Sequence, residues 1–499
     1  MIRPFDQSGI TRGADNIARY LGRPKSLVEM LRATVDRSPA NEAIVEISGE
    51  RINYRELWDR AARVAGGLKG QGIERGDRVA IRLGNCLDWC TAFWGSLMAG
   101  AVVVPVNTRF AEPEVEYVIN DSGSRFVFLP GQPLPAGDAL AVEDLAPGDL
   151  AAIFYTSGTT GFPKGAMTTH ENFLSNTETC RRIGPLPSDG SVRTLVSVPL
   201  FHVTGCNSQL LPSCEYGSAT VIMRAFDVQA FLRAINEERI NSLTSVPAIH
   251  WLAISQPNFA EVETKGVRWV MYGGAPIAPD LVGRLCEAYP NARVGNGFGL
   301  TETSSVATFL PHEFAHIRPD SVGFAAPVVD LELFEPDSSG VGELLVRAAN
   351  VVKGYWNKPE ATALTFVNGW LHTGDLARID ADGFVQIVDR KKDMVNRGGE
   401  NVYCVEVENA LCAHPAIFEC AVMGVPDTMM GEKVGAVVVL KPRVRAEAVE
   451  ICEFLKGRLA DFKIPQYMII RTEALPRNPG GKILKPTLRK EANWGKPLR

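Results

Sequence analysis

The hydrophobic spacing of this chain switches repeatedly between helix and strand periods, and that alternation limits its fold more than any other feature. Leu57, Ala61, Val64 and Leu68 recur at helical spacing, and the following RVAIRL puts Val79, Ile81 and Leu83 on one side of a strand. The pattern repeats through Val102–Val106, a helix near Glu112–Asp121 and a strand at Phe126–Leu129, then resumes from about Thr194 to Gly299. Strand and helix in turn, joined by short turns, predict an α/β fold with helix-covered sheets. From about 320 to 390 the signals are shorter and strand-rich (LELFE, GELLVRA, FVQIVD). Beyond them a smaller α+β unit is predicted, with helices near Val405–Leu411 and Val449–Leu459 and strands near Ala421–Gly424, Gly435–Leu440 and Met468–Arg471. The charged stretch Asp389–Asp393 marks the expected boundary, giving a large multi-part domain over 1–389 and a small one over 390–499. No fixed-period repeat occurs.

Composition removes several classes. With 499 residues there is ample core for roughly three structural units. The 52 basic against 57 acidic side chains give a net charge of −5, without the basic excess of a dedicated nucleic-acid binder. Ten cysteines without a C-x-x-C pair, the closest being Cys86 and Cys90, fit buried thiols in a reducing, cytoplasmic setting. The first residues lack the apolar stretch of a secretory signal. The uncharged run between Trp89 and Arg109 contains Gly100 and Pro105 and ends in AVVVPV, so it reads as a helix and a buried strand rather than a membrane span.

The most informative segment is Tyr155-Thr-Ser-Gly-Thr-Thr-Gly-Phe-Pro-Lys164-Gly165. Its glycines let backbone N–H groups approach a ligand, its hydroxyls donate hydrogen bonds, and Lys164 adds positive charge. That is the chemistry of a polyphosphate cradle. Pro163 before the lysine and the missing G-x-x-x-x-G-K spacing separate it from a Walker A loop. A flexible Ser/Thr/Gly loop without a ligand is the bland alternative, and it leaves the lysine and its following glycine unexplained.

This segment resembles the phosphate-loop signature of the adenylate-forming enzymes, which include acyl- and aryl-CoA synthetases, firefly luciferase and peptide-synthetase adenylation domains. The likeness spans almost the whole chain, because six further motifs follow in that family's order. They are Tyr272-Gly-Gly-Ala-Pro276, Gly297-Phe-Gly-Leu-Thr-Glu302-Thr303, Trp370-Leu-His-Thr-Gly-Asp375, Asp389-Arg-Lys-Lys-Asp393, Gly398-Gly-Glu-Asn401 and Pro476-Arg-Asn-Pro-Gly-Gly-Lys482.

The resemblance implies ATP-dependent activation of a carboxylic acid and transfer of the acyl group to the thiol of coenzyme A. A carboxylate is a poor electrophile. Its attack on the α-phosphate of ATP gives an acyl-adenylate and pyrophosphate, from which a thiolate displaces AMP. Because the first step brings an anion to a polyanion, positioning and positive charge at the α-phosphate dominate.

By resemblance, Thr156, Ser157, Gly158, Thr159, Thr160 and Lys164 hold the β- and γ-phosphates. Gly274, Ala275 and Pro276 border the adenine and Phe298, where many relatives carry Tyr, stacks on it. Thr301 touches the α-phosphate, and Glu302 is the Mg²⁺ ligand, a carboxylate suited to a hard cation. Asp375 takes the ribose hydroxyls with Arg390 nearby. Lys482 is the catalytic cation, in a C-terminal segment rich in lysine and arginine. Lys392 matches a hinge about which the small domain is mobile, exchanging Lys482 for Gly398, Gly399 and Glu400 beside the pantetheine channel. Cys404 departs from the family's usual proline and reads as a packing thiol.

The acid pocket is expected from Val198–Cys206, Ser245–Trp251 and Met271–Ala275, with His202 as a gate between acid and thiol. No Asp or Glu lies between Val196 and Gln209, which points to an apolar acid rather than an amino acid. A homologue performing one half-reaction, or using another acceptor, is the alternative. His312-Glu313-Phe314-Ala315-His316 also matches the H-E-x-x-H zinc-protease pattern, with Glu332 as a distant third ligand, but Pro311 and Pro319 leave at most about two helical turns. The sequence contains no G-x-S-x-G elbow, and the glycines of 295–299 fall at G-x-G-x-G rather than at the G-x-G-x-x-G fingerprint. No basic amphipathic helix demands a membrane, and a homodimer is compatible with the sequence but not specified by it.

Overall fold

The computed structural model describes residues 2–156, 163–275, 277, 279–398, 400–441, 443–477 and 483–498. It divides into two units, Met1–Leu331 with Val346–His372 and Glu332–Leu345 with Thr373–Arg499. Its secondary structure is mixed α/β.

The first unit is built on the predicted alternation. Asn53 caps helix Tyr54–Gly70 through a reciprocal bond pattern with Glu56, and the helix buries Leu57, Ala61, Val64 and Leu68. Helix Leu87–Met98 buries every residue but Asp88, stacking Trp89 on Phe93 at 5.3 Å. Each such large side chain contributes roughly 1.5–3 kcal/mol by leaving water. The chain then enters strand Val102–Pro105, so the uncharged run is a core helix and strand. Among the described residues no helix is long and apolar enough to cross a membrane.

Two sheets result. One has the order Ser124–Phe128, Arg78–Ile81, Val102–Pro105, Leu150–Thr156, Lys164–Thr169, and only its last pair is antiparallel. The other is nine-stranded, and its parallel centre runs Arg293–Phe298, Trp269–Gly273, Ser242–Ser245, Arg193–Val196, Ala219–Ile222, Glu42–Glu46. Antiparallel strands close both of its edges.

In the second unit, strands Ile417–Asp427 and Gly431–Leu440 form a long hairpin, with Tyr467–Arg471 parallel to the latter. Helix Cys404–Cys412 supplies Cys404, Val407 and Leu411 to its core. The helix expected to reach Leu459 stops at Leu455, because Lys456 turns extended and Gly457 takes a φ of 76°.

Two fully buried histidines, together with His202, make the first unit acid-sensitive. His170 accepts the Leu27 N–H at Nδ1 (3.2 Å), and His250 donates from Nε2 to the Met271 carbonyl (3.0 Å). Burial lowers both pKa values to about 4. The folded state therefore stays neutral while the unfolded chain protonates below about pH 6.5. Stability is lost as pH falls through that window, at about 2 kcal/mol per histidine by pH 5. Thermal unfolding between pH 7 and 5 should show this slope, and His250→Gln should flatten it by one histidine's share.

Candidate active site

Strands Leu150–Thr156 and Lys164–Thr169 place Thr156 opposite Lys164 and Tyr155 opposite Gly165. A side chain at Gly165 would run into Ile153 and the Tyr155 ring, so the glycine is required by the pairing itself. Tyr155 donates to Asp121 (2.7 Å), which also pairs with Lys358 (3.0 Å). Ser157, Gly158, Thr159 and Thr160, the centre of the expected phosphate cradle, lie outside the described residues.

The expected adenine-bordering residues arise from the nine-stranded sheet. Strands Trp269–Gly273 and Arg293–Phe298 are parallel neighbours with Gly273 opposite Gly297, and a Cβ on Gly273 would strike the Gly297 carbonyl. Gly274, at φ 75°, and Ala275 therefore follow one strand while Phe298 ends the next, at the carboxyl edge where open parallel sheets bind ligands. Pro276 is outside the described residues. The same topology gathers the expected acid-pocket segments. Strand Ser242–Ser245 lies between Arg193–Val196 and Trp269–Gly273, so Val198–Cys206, Ser245–Trp251 and Met271–Ala275 leave adjacent carboxyl ends.

His202 caps the short helix Val203–Gly205, its Nδ1 accepting the Thr204 N–H (3.2 Å). With that nitrogen as acceptor, the neutral ring carries its proton on Nε2. Burial lowers the His202 pKa to about 4. A π-helical turn at Cys206–Leu210 follows, a feature frequent near functional sites.

Thr301 and Glu302 sit in the 3₁₀ turn Thr301–Thr303, followed by Ser304 and Ser305 at φ values of 51° and 121°. This unfavourable backbone is held by buried amides. Asn350 donates to the carbonyls of Thr303 and Val306 (both 2.7 Å), Asn207 to that of Ser304 (2.9 Å), and Asn176 accepts the Val306 N–H (3.1 Å). Glu302 itself is half-buried, and its Oε1 accepts the Tyr355 hydroxyl at 2.6 Å. Its Oε2 has no hydrogen-bond partner among the described residues. A half-buried carboxylate with one oxygen anchored by Tyr355 fits a hard divalent cation such as Mg²⁺. Tyr355 was not marked by the sequence: it follows Gly354 far downstream, with no local pattern tying it to Glu302.

In the second unit, Asp375 and Arg390 are register partners across an antiparallel pair and form an ion pair of 2.9 Å. Burial lowers the pKa of Lys392 and raises that of Asp389 to about 6. Asp389 accepts the backbone N–H groups of Arg390 and Cys404. Cys404 is buried, its thiol donating to the Asp393 carbonyl (3.0 Å). Gly398, at φ 62°, bonds back to Met430, and Glu400 begins a strand opposite Arg397. Gly399 and Lys482 lie outside the described residues. The flanks of Lys482 are anchored, since Arg477 bridges Ile483 and the Leu484 N–H reaches the Pro476 carbonyl (2.8 Å). Part of the basic C-terminal segment is internally paired, Lys485 with Glu408 (2.8 Å) and Arg489 with Asp393 (3.5 Å).

The zinc-protease pattern fails on this geometry. His312–Ala315 is a four-residue helix, His312 Nδ1 accepts the Val294 N–H (3.1 Å), and Glu313 is paired with Arg293. No group of metal-binding side chains occurs among the described residues.

Comparison with known proteins decides the family. The AMP-binding enzyme model matches residues 31–143 and 129–356, and the AMP-binding enzyme C-terminal domain model matches 406–482. The chain belongs to the AMP-binding enzyme family. It is 35% identical to a feruloyl-CoA synthase of an Amycolatopsis species, covering 91% of this chain and 96% of the relative. It is 36% identical to a long-chain-fatty-acid–CoA ligase of Mycobacterium tuberculosis, covering 94% and 98%. The structure of ATP-bound MatB from Rhodopseudomonas palustris superposes with a TM-score of 0.86 at 31% identity, covering 93% of this chain and 98% of that one. This AMP-binding enzyme is an acyl-CoA synthetase, with ATP, coenzyme A and a carboxylic acid as substrates.

The buried amides behind Glu302 set a testable demand. Asn350→Ala strips two buried carbonyls of their donor, which should cost about 2–4 kcal/mol in chemical denaturation.

Proposed function

We propose that this acyl-CoA synthetase joins an apolar carboxylic acid to coenzyme A through an acyl-adenylate. The observation that carries this reading is the convergence, at adjacent carboxyl ends of parallel strands, of acid-pocket segments free of Asp and Glu and of the glycine-lined edge ending in Phe298.

In the first half-reaction, an oxygen of the acid's carboxylate bonds to the α-phosphorus of ATP and the bond to pyrophosphate breaks. Thr156–Thr160 and Lys164 hold the β- and γ-phosphates. Phe298 stacks on the adenine beside Gly274, Ala275 and Pro276, and Thr301 touches the α-phosphate. Asp375 and Arg390 bind the ribose hydroxyls. Bound Mg²⁺ supplies positive charge that offsets the phosphates, and Glu302 is the residue that holds it. Lys482 bridges the carboxylate and the α-phosphate, a role suited to a positive side chain between two anions.

In the second half-reaction the thiolate of coenzyme A attacks the acyl carbon and AMP leaves. Residues 390–499 move as a small domain about Lys392 between the two steps, with Gly398, Gly399 and Glu400 beside the pantetheine. His202, neutral and held by Thr204, gates the passage between acid and thiol. Feruloyl and long-chain fatty acyl groups, for which two relatives are named, carry no ammonium group, in keeping with the carboxylate-free pocket segments. We place the enzyme in the cytoplasm on its cysteine content and leave a homodimer as a compatible assembly.

Acid-dependent exchange of pyrophosphate into ATP, run beside a thioester assay over fatty and hydroxycinnamic acids, tests this directly. Lys482→Ala should abolish exchange, by a factor of at least about 10², while largely sparing thioester formation from pre-made acyl-adenylate. Exchange at the wild-type rate in that variant rejects the assigned role.

A further inference from the structure

A stretch outside the sequence motifs ties two of them together. Residues 352–356 run as a backbone stitch between the strand leaving the phosphate-loop segment and the turn that carries Glu302. The Val352 N–H donates to the Glu302 carbonyl (2.9 Å), and the Met167 N–H donates to Gly354 (2.9 Å). The Trp356 N–H donates to Gly165 (2.8 Å), and Ala166 pairs with Tyr355 across an isolated antiparallel bridge.

Tyr355, at the centre of this stitch, is almost entirely buried and faces both functional groups. Its hydroxyl donates to Glu302 Oε1 (2.6 Å), while the Lys164 ammonium lies 5.1 Å from its ring centroid, within cation–π range. Among the described residues Lys164 has no carboxylate partner, so the ring face is its visible electrostatic anchor. The tyrosine is fixed in turn by Thr362, whose hydroxyl accepts the Tyr355 N–H (2.9 Å), and by an edge contact with Phe366 at 5.7 Å.

We infer that Tyr355 is a positioning residue for adenylation, its hydroxyl turning Glu302 so that Oε2 faces the metal and its ring holding Lys164 for the phosphates. This rests on the assignment of Glu302 to Mg²⁺ and of Lys164 to the nucleotide. The two parts of the side chain do separate work, so two substitutions distinguish them. Tyr355→Phe keeps the ring and removes the hydroxyl. Tyr355→Leu removes both.

The experiment measures Mn²⁺ binding to the ATP-saturated enzyme by electron paramagnetic resonance, with exchange and thioester kinetics alongside. Tyr355→Phe should weaken Mn²⁺ binding about tenfold, the usual scale for losing a group that orients a metal ligand. Its half-saturating Mg²⁺ should rise in parallel, with KM for ATP at saturating metal nearly unchanged. Tyr355→Leu should add a several-fold rise in that KM, on the scale of a lost cation–π contact. Both variants should form thioester from pre-made acyl-adenylate at the wild-type rate. Wild-type Mn²⁺ affinity in Tyr355→Phe overturns the inference. So does a loss of the thioester step together with metal affinity, which is what general structural damage would produce. Absence of acid-dependent exchange in the wild-type enzyme would instead sink the ligase reading on which the inference stands.

Discussion

Parallel pairing among strands Arg193–Val196, Ser242–Ser245, Trp269–Gly273 and Arg293–Phe298 is the constraint on which the site's architecture rests. Parallel neighbours end on the same side, so loops distant in sequence emerge together. The Gly273–Gly297 approach, which admits no Cβ on Gly273, holds two of these ends close. What each loop then carries is free to vary without disturbing the sheet beneath. The sheet supplies proximity, and the loops supply chemistry.

Much of this was legible in the sequence because it is written in local spacing. The helix around Leu57–Leu68, the strand at Val79–Ile81 and the core helix and strand between Trp89 and Arg109 all follow from hydrophobic period alone. The site residues were named on a different ground: the phosphate-loop segment has a chemical reading of its own, whereas Glu302, Asp375 and Arg390 would each pass for a surface charge and stand out only through the resemblance of the motifs around them. Helix His170–Ile183 was not legible. It buries Asn172, Asn176, Thr177, Glu178 and Thr179, a polar face that periodicity assigns to solvent. Its burial makes sense only when its partners are known, since Asn172 donates to the carbonyls of Ala349 and Val351, and Glu178 pairs with Arg181 and Arg182.

Tyr355 was missed on the same physical ground. Its partners are Glu302 and Lys164, and no property of residues 352–356 by themselves points to either. The zinc-protease pattern erred in the opposite direction. Its five residues are locally convincing, yet His312 serves a backbone N–H and Glu313 an arginine. Short motifs state which side chains are present; only tertiary pairing states what they face.

The hairpin that sets Thr156 opposite Lys164 also bears on how this enzyme can diverge. Strand side chains alternate faces with a period of two, so a residue inserted within strand Lys164–Thr169 would turn the side chains beyond it to the reverse face of the sheet and undo their pairing with Leu150–Thr156. Length changes inside that strand should therefore be missing from any lineage that keeps this pairing.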